Sequence, residues 1–175
     1  MDDTFDIFLP DGDILTIRRA TSEDVSAAVA IEVEAAAWLR ARGIEPGQPP
    51  RPLAVIFAES IARGQLYLAL LDGQPVGKIT LQPEEEPLWA DLPGRALYVH
   101  GLTVRHAYAG RQIGLTLLRW AEQRAALAVL PWLRLDCNSD NSALRAYYER
   151  AGFTSRGDVA LPHRVASRYE RATGV

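Results

Sequence analysis

The segment spanning residues 98–153 constrains the fold of this 175-residue chain more than any other. An apolar extended stretch, LYVHGLTV, leads into the small-residue turn AYAGRQIG and then into a helical pattern, LTLLRWAEQRAA. A second apolar stretch, WLRLDC, and a short helical pattern, NSALRAYYERAGF, follow. A strand, a turn and a helix N-terminus in this order present unpaired backbone N–H groups at the positive end of a helix dipole, which favours phosphate binding.

Helical and extended patterns alternate along the rest of the chain. Strands are predicted at residues 14–18, 66–71, 76–81, 153–157 and 166–170, and helices at about 21–42 and 53–63. Thr21 and Asp24 resemble a capping box, and the valines at 25, 29 and 33 repeat at the spacing of a buried helix face. Asp72-Gly73 between two apolar runs predicts a tight hairpin. We therefore expect one mixed α/β domain over residues 1–175, with an antiparallel start and a strand-helix-strand unit after it.

Composition sets broader limits. Hydrophobic residues make up 48% and charged residues 23%, as in soluble globular proteins. A net charge of −3 favours neither nucleic acid nor an anionic membrane as the partner. The single cysteine, Cys137, forms no internal disulfide, and the acidic N-terminus does not resemble a secretory signal. These features predict a cytoplasmic protein without a membrane span or a metal site.

The helix that closes the segment has two polar side chains on one face. Asn141, Leu144, Tyr148 and Ala151 are three, four and three residues apart, and Gly152 follows as a C-terminal cap. Asn141 is also typical of a helix N-cap, and Tyr148 of a core aromatic residue, so both structural roles stay open. Neither the Walker phosphate loop nor the dinucleotide GxGxxG pattern is present.

Taken together, these pieces resemble the GNAT superfamily of N-acetyltransferases, which bind acetyl-coenzyme A (acetyl-CoA). The resemblance is carried by the strand ending at Val104, the turn from Gly110 to Gly114, the strand ending at Cys137, and the series from Asn141 through Tyr148 to Gly152-Phe153. It implies a central, mostly antiparallel sheet that splays between the fourth and fifth strands, with helices on both faces.

The resemblance also implies roles for individual residues. The main chain of Leu102, Thr103 and Val104 would pair with the pantetheine arm, and Asn141 would hydrogen-bond that arm. Tyr148 would protonate the leaving thiolate, while backbone N–H groups at the strand bulge would polarise the acetyl carbonyl during direct attack by an amine. The pyrophosphate would be held by the backbone N–H groups of the turn, namely those of Ala109, Gly110, Arg111, Gln112, Ile113 and Gly114.

The turn departs from the family pattern at two positions. Ala109 stands where Gln or Arg is usual, and Gln112 stands where the middle Gly is usual, whereas Gly114 matches. The Ala109 change removes a side chain and no backbone donor. Gln112 requires a turn conformation that tolerates a Cβ atom, and Arg111 supplies a compensating cation if it is free to do so.

A base must remove a proton from the acceptor amine, since an ammonium has no lone pair. His100 is the leading candidate, because two-residue alternation places it on the same strand face as Tyr98, Leu102 and Val104, and imidazole titrates near neutrality. Packing without catalytic work is the alternative. Cys137 is interpreted as a small buried residue and not as a nucleophile. The acids that are candidates for attracting a cationic acceptor are Glu32, Glu34, Glu84, Glu85 and Glu86.

The function predicted from the resemblance is N-acetylation of a primary amine by acetyl-CoA, with a small molecule as acceptor. One alternative is acetylation of a protein N-terminus or lysine. Another is a non-catalytic acyl-CoA sensor on the same fold. The sequence is compatible with a homodimer but contains no signal that distinguishes it from a monomer.

Overall fold

The computed structural model describes residues 4–83 and 87–175, so Glu84, Glu85 and Glu86 lie outside the described residues. Within these ranges there are eight strands and four α-helices. The strands are β1 (Thr4–Phe8), β2 (Ile14–Arg19), β3 (Leu66–Leu71), β4 (Gln74–Gln82), β5 (Ala96–Val104), β6 (Trp132–Asn138), β7 (Thr154–Leu161) and β8 (Arg164–Ala172). The helices are α1 (Val25–Arg40), α2 (Leu53–Ala62), α3 (Ile113–Leu127) and α4 (Ser142–Arg150), with short 3₁₀ turns at Ser22–Asp24, Pro87–Trp89 and His106–Tyr108. The predicted mixed α/β class is confirmed.

The chain divides into two compact units. Unit 1 comprises Met1–Thr80 and Gly101–Leu117, and unit 2 comprises Leu81–His100 and Leu118–Val175. Strand β5 and helix α3 each have residues in both units. In unit 1, β1, β2, β3 and β4 follow one another in an antiparallel sheet, and the Arg105 N–H, just after β5, donates to the Val76 carbonyl of β4 at 2.8 Å.

The two hairpins of unit 1 differ in how well the sequence predicted them. The β3–β4 turn is confirmed, with Asp72 at a φ of 48° and Gly73 at 74°, as a two-residue turn requires. The β1–β2 hairpin was missed. Its signals were the Phe5 and Ile7 alternation in β1 and the Pro-Asp-Gly sequence that begins at Pro10, which is typical of a turn.

Helix α1 begins with the predicted capping box. The Thr21 N–H donates to Asp24 Oδ2 at 2.7 Å, and the guanidinium of Arg18, which contacts both Asp24 oxygens, lowers the pKa of this carboxyl to about 2. The predicted buried face was wrong at Val33, which is 53% exposed. Ala28, which the same helical spacing includes, is buried, and so is Ile31; both belong to a cluster with Phe57, Leu66, Leu68 and Leu70.

In unit 2 the strand order is β5-β6-β8-β7. Strand β5 pairs with β6 in parallel only over Ala96–Tyr98 and Trp132–Arg134, although β6 continues to Asn138. These two strands are the fourth and fifth of the predicted set, so the expected splay is confirmed where their pairing ends. The remaining pairs, β6–β8 and β7–β8, are antiparallel. Among the described residues, no helix combines the length and the apolarity needed to cross a membrane.

Candidate active site

The turn before α3 has two residues in the left-handed region of backbone conformation, Gly110 and Gln112. Gln112 has a φ of 61° and Gly110 a φ of 82°, both in the left-handed region. A side chain in that region costs roughly 1–2 kcal/mol, which is the penalty of placing Gln where Gly is usual. The exposed Gln112 therefore tolerates its Cβ without a change of turn geometry.

The backbone N–H groups of this turn are available to a ligand, with one exception. The Ala109 N–H donates to the His106 carbonyl at 2.9 Å, and the Thr116 N–H donates to the Gln112 carbonyl at 2.9 Å. No N–H of residues 110–115 donates to an acceptor within residues 4–83 and 87–175. A Cβ placed on Gly110 would meet no atom within 4 Å, so the approach is open. These N–H groups at the positive end of the α3 dipole fit a pyrophosphate.

Arg111 is not a free cation. Its Nε donates to Asp11 Oδ2 at 2.8 Å, and its Nη2 donates to Asp13, both at the tip of the β1–β2 hairpin. The guanidinium lowers the pKa of the exposed Asp11. Since two carboxylates surround one guanidinium, the local charge beside the turn is negative, which opposes the binding of a phosphate.

The end of β5 carries the three residues predicted to pair with the pantetheine arm. Leu102, Thr103 and Val104 are all partly buried. Gly101 has a φ of 53°, outside the extended region, so the two-residue alternation predicted from Tyr98 to Val104 does not run unbroken through β5. The strand pattern therefore does not place His100 on the same face as Leu102 and Val104, and the shared face does not support His100 as the base.

The two α1 acids are engaged within unit 1. Glu32 Oε2 lies 2.7 Å from the Nζ of Lys78, and Glu34 pairs with Arg105. Each carboxylate is thus neutralised by an internal cation. This weakens the hypothesis that they attract a cationic acceptor.

In unit 2, α4 presents both polar residues that the sequence singled out. Asn141 does cap the helix, because its Oδ1 accepts the Leu144 N–H at 3.0 Å, and this leaves its Nδ2 hydrogens for another partner. Tyr148 is buried, with its ring centre about 6 Å from those of Phe153 and Tyr169. Its hydroxyl makes no hydrogen bond to the described residues. Burial raises the pKa of Tyr148, so the phenol stays protonated.

Three further candidates lie in unit 2. Burial raises the pKa of the Cys137 thiol to about 11, which keeps it protonated and supports its interpretation as a small buried residue. Tyr98 packs against Trp89 with ring centres 6.2 Å apart and belongs to a core cluster. His100 is half-buried on β5.

Sequence reasoning missed Lys78. It is the only lysine of the sequence, and it is 1% exposed on β4. Its position inside the apolar run VGKITL, where a charge is rare unless paired, was the available signal.

Comparisons with known proteins agree with this geometry. The chain is 29% identical over 149 residues to an uncharacterized N-acetyltransferase, YesJ, of Bacillus subtilis strain 168, a match that spans 79% of this chain and 81% of the relative. A GNAT-family acetyltransferase of Listeria monocytogenes 4b F2365 superposes with a TM-score of 0.77 at 21% identity, covering 96% of this chain and 99% of the other. A putative streptothricin acetyltransferase of Bacillus anthracis strain Ames, solved in complex with acetyl coenzyme A, matches 61% of each chain at 26% identity and a TM-score of 0.52.

The family model of the GNAT acetyltransferases matches residues 32–153, which hold every predicted cofactor-binding residue. Members of this family are acyltransferases that use acetyl-CoA as co-substrate. Since the match spans well over half of the chain, the protein belongs to the GNAT acetyltransferase family.

Proposed function

We propose that this protein transfers the acetyl group of acetyl-CoA to the primary amine of a small molecule, as a single GNAT domain acting in the cytoplasm. The observation that carries the proposal is the run of unpartnered N–H groups at residues 110–115, at the N-terminus of α3. Such a run binds the pyrophosphate of the co-substrate. The cytoplasmic setting is supported only by composition and stays a prediction.

The remaining residues divide the chemistry between them. The main chain from Leu102 to Val104 pairs with the pantetheine arm, and the Asn141 Nδ2 donates to it. The acceptor amine, freed of its proton by His100, forms the new C–N bond as the C–S bond of the thioester breaks. Tyr148 donates a hydrogen bond to the departing sulfur, for which its raised pKa keeps the proton in place.

Two observations support a cationic acceptor. The net charge of −3 favours the approach of a cation. The Bacillus anthracis relative is described as a putative streptothricin acetyltransferase.

A thermal-shift titration with acetyl-CoA followed by an acceptor screen tests the proposal. A ligand at 100 times its Kd stabilises by roughly 2.7 kcal/mol, which is easily detected. Free coenzyme A thiol is then measured with a polyamine, an arylalkylamine, an amino sugar and a peptide that has a free N-terminus. We expect turnover with one of the small amines. Fastest turnover with the peptide would indicate a protein acetyltransferase, binding without any turnover would indicate a sensor, and no thermal shift would refute the proposed cofactor site.

The acidic hairpin tip is expected to weaken acetyl-CoA binding. Asp11 and Asp13 hold Arg111, which the pyrophosphate would otherwise contact. The double variant Asp11→Asn/Asp13→Asn should lower the Kd for acetyl-CoA roughly two- to five-fold, the range typical of exposed ion pairs. Isothermal titration calorimetry at low and high salt measures the effect, which should shrink as salt rises.

Asp6→Asn is the matched control for this experiment. It removes one negative charge from the same hairpin, where Asp6 accepts a hydrogen bond from Thr16. Its Kd should equal that of the wild type. Weaker acetyl-CoA binding by the double variant would mean that the hairpin positions Arg111 for the phosphate and does not compete with it.

If His100 is the base, kcat/KM rises with pH as the imidazole loses its proton. His100→Gln should then remove this acidic limb from the pH profile and lower kcat/KM about 100-fold or more, since general-base effects are about 10²–10⁴-fold. His163→Gln, on the exposed connection between β7 and β8, is the control and should leave the profile unchanged. An acidic limb that persists in His100→Gln would assign proton removal to water or to another residue.

A further inference from the structure

The single lysine of the chain, Lys78 on β4, is buried beside Gly101, the residue at which β5 departs from regular strand geometry. Lys78 Nζ lies 2.7 Å from Glu32 Oε2, 2.9 Å from the Gly101 carbonyl oxygen and 3.4 Å from Thr103 Oγ1. The ammonium therefore has an acceptor for each of its three hydrogens. It also lies 4.7 Å from the centre of the Phe57 ring. Burial lowers the pKa of Lys78, and the Glu32 carboxylate opposes that shift.

Burying the Lys78 ammonium costs free energy, and the hydrogen bonds that offset this cost fix the position of the ammonium. The Thr103 hydroxyl, which accepts from Lys78, lies 3.0 Å from Glu32 Oε2 and donates to it. An ammonium, a carboxylate, a hydroxyl and one backbone carbonyl are thus linked within unit 1. Among the residues that the structure describes, the carbonyl of Gly101 is the backbone group of this network.

Gly101 is suited to this contact in two ways. Its φ of 53° is unfavourable for residues that carry a Cβ, and a Cβ on Gly101 would lie 3.2 Å from Lys78 Nζ. The left-handed conformation turns the carbonyl toward the ammonium. Thr103 Oγ1 also lies 3.3 Å from this carbonyl oxygen, but the Lys78 ammonium is the closer donor, at 2.9 Å, and the charged one.

The orientation of this carbonyl also fixes the next N–H group. The peptide between Gly101 and Leu102 is trans, so its C=O and N–H bonds point in opposite directions. Because the carbonyl points to Lys78, the Leu102 N–H points away from Lys78. A positive charge on the carbonyl side also polarises the peptide and makes its N–H a stronger donor.

We propose that Lys78 is a positioning residue that holds the Gly101–Leu102 peptide so that the Leu102 N–H donates to the thioester carbonyl oxygen of acetyl-CoA. This inference rests on the proposed function, and it adds a residue outside the motifs that carry the family resemblance. Lys78 neither gains nor loses a proton in the reaction. It keeps the Leu102 N–H directed at the thioester carbonyl oxygen, on which negative charge develops during the attack. A donor that is already in place lowers the activation barrier without a further movement of the protein.

Three variants separate positioning from folding. Lys78→Met removes the ammonium but leaves Glu32 without its partner, whereas Lys78→Met/Glu32→Gln removes both charges and keeps an acceptor for Thr103. Glu32→Gln alone keeps the contact between Lys78 and Gly101. We expect the double variant to have a Tm within about 3 °C of the wild type and a Kd for acetyl-CoA within about three-fold, with kcat lowered about 10- to 100-fold. Glu32→Gln should keep kcat within about three-fold, since the Lys78 donor to the Gly101 carbonyl remains.

Recovery of kcat together with Tm in the double variant would overturn the proposal, since Lys78 would then serve folding alone. If the wild-type protein binds acetyl-CoA and acetylates amines, and the double variant is equally active, this inference is refuted and the proposed function stays intact. A wild type that neither binds acetyl-CoA nor turns over would refute both.

A measurement on the unaltered protein covers the case in which the variants do not fold. With one lysine in the sequence, selective lysine labelling gives a single side-chain NMR signal. We expect this signal to shift when acetyl-CoA is added and to stay in place with adenosine 3′,5′-bisphosphate, which lacks the thioester. A lysine signal unchanged by saturating acetyl-CoA would overturn the proposal.

Discussion

Replacing Tyr148 by phenylalanine is expected to lower kcat about 100-fold while leaving the Kd for acetyl-CoA within about three-fold of the wild-type value. The phenylalanine ring retains the aromatic contacts of Tyr148 with Tyr147, Phe153 and Tyr169. The fold loses little, because the hydroxyl has no hydrogen-bond partner among the described residues. The departing sulfur, by contrast, loses its donor.

The shift in the pKa of Tyr148 determines whether its hydroxyl would transfer its proton to the sulfur or only donate a hydrogen bond to it. Burial raises that pKa, whereas an ordinary thiol has a pKa of about 8.5. Complete proton transfer from the phenol to a free thiolate is therefore uphill, so the proposed contribution of Tyr148 is a hydrogen bond that strengthens as charge develops on the sulfur. Since the donor must be protonated, the alkaline limb of kcat assigned to Tyr148 should lie above about pH 10.

Tyr147→Phe is the matched control, because the same substitution is made one residue earlier on α4. Burial raises the pKa of Tyr147 as well, so the two residues differ mainly in position. We expect Tyr147→Phe to retain wild-type kcat. Stopped-flow or steady-state kinetics on both variants, with acetyl-CoA binding measured separately, is the test. A similar loss of kcat in both variants, or an equal loss of kcat and of affinity for Tyr148→Phe, would contradict the assignment.

Replacing Arg134 by methionine should lower the free energy of unfolding by about 3–5 kcal/mol, the cost of removing one partner from a buried ion pair. Arg134 is 1% exposed, and its Nε donates to Glu170 Oε2 at 3.1 Å. Its other nitrogens donate to carbonyls of the connection before β5, at 2.7 Å for Pro93 and 3.2 Å for Gly94. The guanidinium also lies 5.1 Å from the centre of the Trp89 ring. Loss of this side chain leaves Glu170 Oε2 and these carbonyls without their Arg134 donor, and Arg156 contacts only Oε1 of the same carboxylate.

Arg156 provides the control for the Arg134 experiment. It contacts the other oxygen of the Glu170 carboxylate at 3.1 Å, but its side chain is 42% exposed. Arg156→Ala should therefore cost no more than about 1 kcal/mol, as exposed ion pairs do. Urea unfolding at neutral pH compares the two variants. A loss below about 1 kcal/mol for Arg134→Met, or equal losses for both variants, would show that burial does not set the strength of this contact.

Local sequence signals predicted much of the fold because they act over a few residues. The Asp72-Gly73 turn and the capping box of Thr21 and Asp24 both appear as expected. Burial on α1 was less predictable. Val33 fits the helical period but is exposed, because the neighbouring elements, and not the period, determine which side of the helix is covered.

By itself, the sequence determined the family, the co-substrate and the residues to which roles are assigned, since these depend on spacing along the chain. Only the tertiary structure revealed that Asp11 and Asp13 contact Arg111, about 100 residues away, and that Lys78 contacts the Gly101 carbonyl. It also revealed that Gly101 interrupts the alternation from which the orientation of His100 was inferred. Charge pairing and peptide orientation depend on which distant segments become neighbours, and no local pattern encodes that.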